Sequence, residues 1–236
     1  MKTKDKTICI EFVGIWGAGK TTIINQISKT LSEKGLMVAK DNDYSSYSQF
    51  LRYKHAFFLF LFNPMYFLNW LWFSLKVLLL LKPRGKIEID IYKTLIKANI
   101  KKNFLLLKKC PDVLLLEGAF HLLPVFTKMR NISNEDLLFS ISTISNCSKS
   151  YVVFIETNLE IALNRVKIDH KNKLQRFSSE ELKSLKGRYL HMIENQKKIK
   201  NIIHNKEIIF LDGEKSIAAN SSYLHNFILN SFKLNS

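Results

Sequence analysis

The sequence predicts an α/β fold: a doubly wound parallel sheet of five strands with helices on both faces. Short β-branched and apolar runs alternate with segments of helical spacing along the 236 residues, an order typical of parallel sheets. The first forty residues have the pattern strand, glycine-rich loop, helix and strand, which is a βαβ unit. At this length, a single domain over residues 1–236 is expected.

The predicted elements follow in order from the start of the chain. The apolar run TICIEFV at 7–13 predicts the first strand, and TTIINQISKTLSEKG at 21–35 has the apolar spacing of a helix that ends at a glycine. A second strand is predicted in LMVAKDND at 36–43, which ends in carboxylates. Three later apolar runs complete the sheet: DVLLLEG at 112–118, YVVFIET at 151–157 and EIIFLDG at 207–213.

The chain is strongly basic, with 36 Lys and Arg against 20 Asp and Glu and a formal net charge of +16 at pH 7. Such a charge favours anionic partners, among them nucleotides, nucleic acids and membrane surfaces. The lysines are spread out, without a long basic run or an aromatic RNA-binding pattern, so no specific nucleic-acid partner is expected. Three separated cysteines, Cys9, Cys110 and Cys147, and the lack of a signal-peptide pattern predict a reduced, cytoplasmic protein.

The loop after the first predicted strand carries the most specific motif. Gly14, Gly19, Lys20 and Thr21 satisfy G-x-x-x-x-G-K-[ST] between a strand and a helix, the pattern of a P-loop. Glycines let backbone N–H groups turn toward phosphate oxygens, Lys20 reaches the β- and γ-phosphates, and the Thr21 hydroxyl can ligate Mg²⁺. The sequence therefore predicts binding of ATP with Mg²⁺ by these residues: Gly14, Trp16, Gly17, Ala18, Gly19, Lys20, Thr21 and Thr22.

A P-loop serves switches, motors and kinases alike, and other motifs separate these classes. The guanine-reading N-K-x-D of GTPases is not matched, because the NK pairs at Asn172 and Asn205 lack the Asp. The strand at 112–118 ends in Glu-Gly rather than the Asp-Glu usual in motor and transporter ATPases. We therefore expect a phosphotransferase. Glu117 would hold Mg²⁺ or accept a proton. Asp41 and Asp43 would face the same crevice at the carboxyl ends of the strands, and Asp43 is the candidate for a catalytic role.

Both ends of the chain resemble thymidylate kinase-like P-loop nucleoside and nucleotide kinases. The similar stretches are EFVGIWGAGKTTIINQISKTL, YVVFIETNLEIALNRV, RYLHMI and IIFLDGEKSIAANSSYLHNFI. The resemblance implies transfer of the γ-phosphoryl group of Mg-ATP to a nucleotide or nucleoside acceptor. It also implies that Arg165 is a lid-entry arginine and Arg176 a clamp on the transition state. The chain departs from the family at two places. Trp16 stands where the family usually has an acidic or otherwise polar residue. Glu117-Gly118 stands where the family usually has an Asp-Arg pair, and this Glu-Gly ending is closer to uridine kinase-like enzymes.

These departures leave alternative functions open. The sites expected to act in catalysis are Lys20, Glu117, Arg165, Asp43 and Arg176, with Thr21 and Glu117 at the metal. A kinase of a sugar or lipid-linked intermediate at a membrane is the first alternative. A non-catalytic ATP-binding regulator is the second, because the lid offers few arginines.

Residues from about 50 to 110 interrupt the strand–helix alternation and predict an apolar helical insertion on the acceptor side of the domain. Its segment 57–81, FFLFLFNPMYFLNWLWFSLKVLLLL, is long enough to span a bilayer. A single crossing would separate the P-loop from later strands of the same sheet, so we expect no span. Two interpretations stay open. The segment forms buried helices at the acceptor site or a homodimer interface, or it lies on an anionic membrane surface as a peripheral contact.

Overall fold

A five-stranded parallel sheet forms the centre of the described part of the molecule in the computed structural model. The structure describes residues 7–15, 17–45, 47–48, 54, 68, 71–72, 74–75, 78–79, 86–117, 149–169, 190 and 207–233. The strands are β1 (Ile8–Gly14), β2 (Val38–Lys40), β3 (Val113–Glu117), β4 (Lys149–Glu156) and β5 (Glu207–Asp212). They lie in the order β2-β3-β1-β4-β5, and every neighbouring pair is parallel. The predicted α/β fold is confirmed.

Helices cover both faces of this sheet. They are α1 (Lys20–Glu33), α2 (Asp41–Ser45), α3 (Lys86–Lys109), α4 (Leu159–Asp169) and α5 (Ile217–Lys233). Alternate side chains of β1 enter two cores because successive strand residues point to opposite faces. Ile10 packs in a cluster with Ile27 of α1 and Leu224 of α5, whereas Cys9 packs with Phe104 of α3. The sheet is therefore doubly wound.

The second strand is shorter than the sequence predicted. It ends at Lys40, and the carboxylates expected at the strand end lie in the short helix α2. Asp43 causes this local change, because its Oδ2 accepts the backbone N–H of Lys40 at 3.1 Å. A side-chain acceptor of this kind satisfies a free donor at the start of a helix and favours a turn over a continued strand.

Parts of the predicted organisation lie outside the described residues. Of the segment 57–81, only seven scattered positions are described, and the division into one domain with an insertion at 50–110 stays a prediction. From residue 86 onward the expected helical character of the insertion is present, since α3 runs unbroken for 24 residues to Lys109.

A buried ion pair joins α3 to the central strand. Lys102 Nζ lies 3.2 Å from Glu11 Oε1 in β1, and the two side chains are only 8% and 7% exposed. An unpaired buried charge is costly, and a partner with good geometry offsets that cost. The pair therefore fixes α3 against the middle of β1.

We predict that Lys102→Met lowers the free energy of unfolding by about 3–5 kcal/mol, because it leaves the Glu11 carboxylate buried without its cation. Urea denaturation followed by circular dichroism measures this difference. The control is Lys97→Met, which removes an exposed lysine of the same helix and should change stability by less than about 0.5 kcal/mol. Equal stability of the two variants would contradict the assigned role of the pair.

Candidate nucleotide-binding site

The loop that follows β1 is built closely around its glycines. A Cβ on Gly14 would lie 3.2 Å from the Ala18 Cβ and 3.3 Å from the Ile155 carbonyl oxygen, so a side chain has no room there. Gly17 and Gly19 have φ angles of 77° and 89°, in the left-handed region that favours glycine. The sequence therefore folds locally into a tight turn that requires glycine at these positions.

Helix α1 begins directly after this turn. Gly19 is its N-cap residue and provides no side-chain cap, and the first turn of the helix holds no acidic residue. The backbone N–H groups of a first helical turn have no partner within the helix and carry a partial positive charge. Such an uncapped N-terminus after a glycine turn favours an anion, with phosphate as the usual ligand.

The side chain of Lys20 lies across the loop. Its Nζ donates hydrogen bonds to the carbonyl oxygens of Gly14 and Ile15, both at 2.9 Å. Burial lowers the pKa of Lys20, and the nearby Glu117 carboxylate opposes that shift. A partly desolvated ammonium held inside the loop interacts more strongly with phosphate oxygens than one in water.

The neighbouring strand brings a carboxylate to the loop. Strand β3 pairs with β1 so that Glu117 lies beside Phe12, two residues before Gly14. From this position Glu117 Oε1 accepts a hydrogen bond from the Thr21 hydroxyl of α1. Thr21 and Glu117 are 96 positions apart in the sequence, and this contact brings together the two side chains that the sequence predicts as Mg²⁺ ligands.

These two side chains fit Mg²⁺. Mg²⁺ binds oxygen ligands and is usually held by one or two carboxylates together with substrate phosphates and water. The described residues contain no group of three or more His, Cys, Asp or Glu side chains that would form an all-protein metal cage. Thr21 and Glu117 instead provide the smaller ligand set that a Mg-nucleotide requires.

Asp41, the first residue of α2, extends this polar cluster. Its Oδ2 accepts the backbone N–H of Glu117 at 3.2 Å and lies 2.7 Å from Lys101 Nζ of α3. Its Oδ1 is buried without a hydrogen-bond partner among the described residues. Burial raises the pKa of Asp41, and the Lys101 ammonium acts in the opposite direction.

Asp41 and Lys101 were not among the site residues chosen from the sequence. The available signal was the position of Asp41 directly after β2, because ligands of open α/β sheets bind at the carboxyl ends of the strands. Asp43, which the sequence analysis assigned to the site, contacts other groups: its Oδ2 lies 2.8 Å from Lys109 Nζ and accepts the backbone N–H of Lys40. Its catalytic assignment stays a prediction.

Arg165 lies in α4, the helix that follows β4. The end of β4 reaches the loop, since Ile155 is paired with Gly14. Arg165 is half-buried, and its Nη1 is buried without a hydrogen-bond partner in the described part of the chain. A buried guanidinium nitrogen of this kind is suited to an anionic oxygen. Trp16 and Arg176 lie outside the described residues, so their assignments also stay predictions.

Comparison with solved structures shows the same fold in kinases. Deoxyadenosine kinase from M. mycoides with dCMP and dCDP bound has a TM-score of 0.54 and 17% sequence identity, covering 95% of this chain and 99% of that chain. The structure of this enzyme with bound dCTP gives a TM-score of 0.52 and 16% identity, covering 94% and 99%. At such identity the likeness concerns the fold alone. No curated protein matches the chain.

A family match extends over the whole chain. The KAP family P-loop domain matches residues 1–236, which include the glycine turn, Lys20 and all five strands of the sheet. Together with the geometry of the loop, this match shows that the chain belongs to the KAP family of P-loop domains.

Proposed function

We propose that this protein is a kinase that transfers the γ-phosphoryl group of Mg-ATP to a small nucleoside or nucleotide. The observation that carries the proposal is the meeting of Lys20, Thr21 and Glu117 around one glycine turn. In the reaction, the bond between the γ-phosphorus and the bridging oxygen of ADP breaks. A bond forms from the acceptor oxygen to phosphorus, and ADP leaves with the bridging oxygen. The acceptor oxygen is a hydroxyl oxygen in a nucleoside, whose proton leaves to a base or water, and a phosphate oxygen in a nucleotide.

Residues of the loop and of β3 have different roles in the proposed phosphoryl transfer. Lys20 exchanges its two carbonyl partners for phosphate oxygens, and the N–H groups of the turn bind the same phosphates. Thr21 and Glu117 would hold Mg²⁺, which would neutralise charge on the phosphate oxygens. Arg165, in the helix that follows β4, would provide a second cation. Catalysis of this kind depends on position and charge rather than on covalent chemistry.

The acceptor side is assigned to Asp41 and Lys101. Asp41 holds the backbone of Glu117 in place, and Lys101 holds the Asp41 carboxylate with one oxygen still open to a hydrogen bond. That oxygen is suited to orient an acceptor hydroxyl. Lys101 is a positioning residue in this proposal, since it acts through Asp41, whereas Asp41 would contact the acceptor itself.

The acceptor class rests on two likenesses. The thymidylate kinase-like stretches of the sequence favour a nucleotide or nucleoside acceptor, and the similar solved structures are of a deoxyadenosine kinase with deoxynucleotides bound. We also propose a cytoplasmic site of action, in keeping with the three widely separated cysteines of the sequence.

A screen of ADP release tests the proposal directly. Purified protein with Mg-ATP is offered nucleosides, nucleoside monophosphates and sugars, and ADP is measured with and without each acceptor. Release that depends on a nucleoside or nucleotide supports the proposal. ADP release with a sugar alone would contradict the proposal and support the alternative of a sugar kinase. Binding of Mg-ATP without any acceptor-dependent ADP release would contradict it and support a non-catalytic ATP-binding regulator.

We predict that Lys20→Ala removes the stabilisation that Mg-ATP gives the wild type. A ligand at about 100 times its Kd stabilises a protein by about 2.7 kcal/mol, which thermal unfolding detects as a higher Tm. Lys29→Ala is the matched control, because Lys29 is an exposed lysine of the same helix. If Lys20→Ala gained as much stability from Mg-ATP as Lys29→Ala, the nucleotide site would have to be elsewhere.

We predict that Glu117→Gln lowers kcat by about 100-fold while Mg-ATP binding largely survives, since the variant keeps the shape and loses only the charge at the metal. Arg165→Ala should lower kcat by about ten- to 100-fold through loss of a charge-assisted hydrogen bond. Steady-state kinetics of acceptor-dependent ADP release measure both. An unchanged kcat in the two variants would remove these residues from the mechanism.

The pair Asp41 and Asp43 gives a sharper test of the acceptor side. Each lies in α2 and contacts a lysine of α3, and Asp41 also accepts the backbone N–H of Glu117. We predict that Asp41→Asn lowers kcat about tenfold or more, and that Asp43→Asn has the smaller effect. The reverse order would restore the assignment made from the sequence.

A pH profile tests Lys101 separately. Burial already holds the pKa of Asp41 above its usual range, and Lys101 opposes this shift. Lys101→Met should therefore raise the pKa of Asp41 further, so the acid limb of kcat against pH moves to higher pH. Lys101→Arg keeps the charge and should leave the limb near its wild-type position. Coincident profiles for Lys101→Met and wild type would contradict the assigned role.

A further inference from the structure

Helix α3 and strand β1 contain four buried polar side chains, which we call the buried polar cluster. Glu11 and Lys102 form an ion pair, and Asn99 and Asn103 of α3 are each only 7% exposed. Asn103 Nδ2 donates a hydrogen bond to Asn99 Oδ1 at 3.0 Å. Burial of polar groups costs free energy unless their hydrogen bonds are made, so such a cluster requires an explanation.

Two hydrogen-bonding groups of the cluster have no partner in the described part of the chain. Glu11 Oε1 lies 3.2 Å from Lys102 Nζ, but Glu11 Oε2 is buried and accepts no hydrogen bond there. Asn99 uses its oxygen for Asn103, and its Nδ2 donates no hydrogen bond within the described residues. A carboxylate oxygen only accepts hydrogen bonds, whereas an amide nitrogen only donates them. A ligand that satisfies both groups therefore presents a donor together with an acceptor.

The buried polar cluster extends from the sheet toward the nucleotide site. Helix α3 ends just before β3 begins, so it runs back along the sheet and its earlier residues lie nearer the carboxyl ends of the strands. Asn99 is thus about 4.5 Å closer to those ends than Lys102, at a rise of about 1.5 Å per residue. Glu11 precedes Gly14 by three positions in β1, which is about 10 Å at the rise of a strand. This length is comparable with that of a nucleoside from its 5′ oxygen to the far edge of its base.

Two consecutive lysines show which side of α3 carries the asparagines. Lys101 contacts Asp41, which follows the edge strand β2. Lys102 contacts Glu11 of β1, the middle strand of the sheet. Because successive residues of a helix are about 100° apart, the two asparagines are turned about 60° and about 100° beyond Lys102, in the direction away from Lys101. They therefore lie on the side of α3 that points toward β4, whose end also borders the glycine turn.

We propose that the buried polar cluster binds the base of the acceptor and selects a base with an exocyclic amino group, as in adenine or cytosine. The inference rests on the proposed function for its choice of a nucleoside or nucleotide ligand. The amino group would donate to Glu11 Oε2, and the ring nitrogen beside it would accept from Asn99 Nδ2. Acidic side chains accept from the cytosine amino group, and asparagine pairs with the adenine amino group and its neighbouring ring nitrogen, when proteins read bases in DNA.

The same groups would reject bases with a carbonyl at this position. Uracil, thymine and hypoxanthine have an oxygen where cytosine and adenine have the amino group. That oxygen would face Glu11 Oε2 with no proton between them, and the carboxylate oxygen would remain buried without a donor. Sites that hydrogen-bond a substrate group discriminate strongly against analogues that lack it, because the polar groups of the site are then left unpaired.

Titration calorimetry of the full chain with matched ligands tests the inference. Cytidine differs from uridine, and adenosine from inosine, at the amino group and the ring nitrogen beside it. Each compound is offered as the nucleoside, the 2′-deoxynucleoside and the 5′-monophosphate. We expect the amino-bearing member of each pair to bind about ten- to 100-fold more tightly, because its partner leaves a buried acceptor unpaired. Equal affinity within both pairs, or no binding of either amino-bearing compound, would overturn the inference and assign Glu11 Oε2 to an internal water only.

Variants of the cluster separate recognition of the base from folding. Glu11→Gln/Lys102→Met removes both charges together and leaves no buried charge unpaired, so the preference for cytidine over uridine should fall below about threefold in a folded protein. Asn99→Leu keeps a similar size and should weaken cytidine binding about tenfold. Lys97→Met removes an exposed lysine of the same helix and should bind as the wild type does. Circular dichroism reports folding, and a folded Asn99→Leu with wild-type affinity for cytidine and adenosine would overturn the inference.

The screen of ADP release separates this inference from the proposed function. Tighter binding of amino-bearing ligands without acceptor-dependent ADP release would contradict the kinase function and support the recognition of the base. Acceptor-dependent ADP release with equal kcat/KM for cytidine and uridine, and for adenosine and inosine, would support the kinase function and overturn the inference.

Discussion

The parallel pairing of β1 with β3 is the constraint on which the site depends. Its register sets Glu117 beside Phe12, so the carboxylate is at the level where the chain leaves β1 and turns into the glycine loop. A slip of one residue would send the Glu117 side chain to the opposite face of the sheet, because strand side chains alternate. The contact between Glu117 and Thr21, and with it the proposed pair of metal ligands, follows from this register rather than from the loop alone.

Helix α3 is fixed to the sheet by two consecutive lysines. Lys101 pairs with Asp41 at the carboxyl ends of the strands, and Lys102 pairs with Glu11 in the buried middle of β1. Neighbouring residues of a helix point about 100° apart, so two such pairs define both the position and the rotation of the helix. Burial raises the pKa of Asp41. This burial therefore depends on the orientation of α3, which the Lys102–Glu11 pair in the core also sets.

The sequence predicted the parts of the site that are close together along the chain. Gly14 to Thr21 form one motif, and the apolar run ending at Glu117 marked a buried strand end. Asp41 could not be chosen over Asp43 in this way, because its contact with Glu117 spans 76 residues and requires β2 to lie next to β3. Hydrophobic periodicity reports the type of each element but not the order of strands in the sheet. For the same reason the sequence could not predict the pairing of Glu11 with Lys102, which are 91 residues apart.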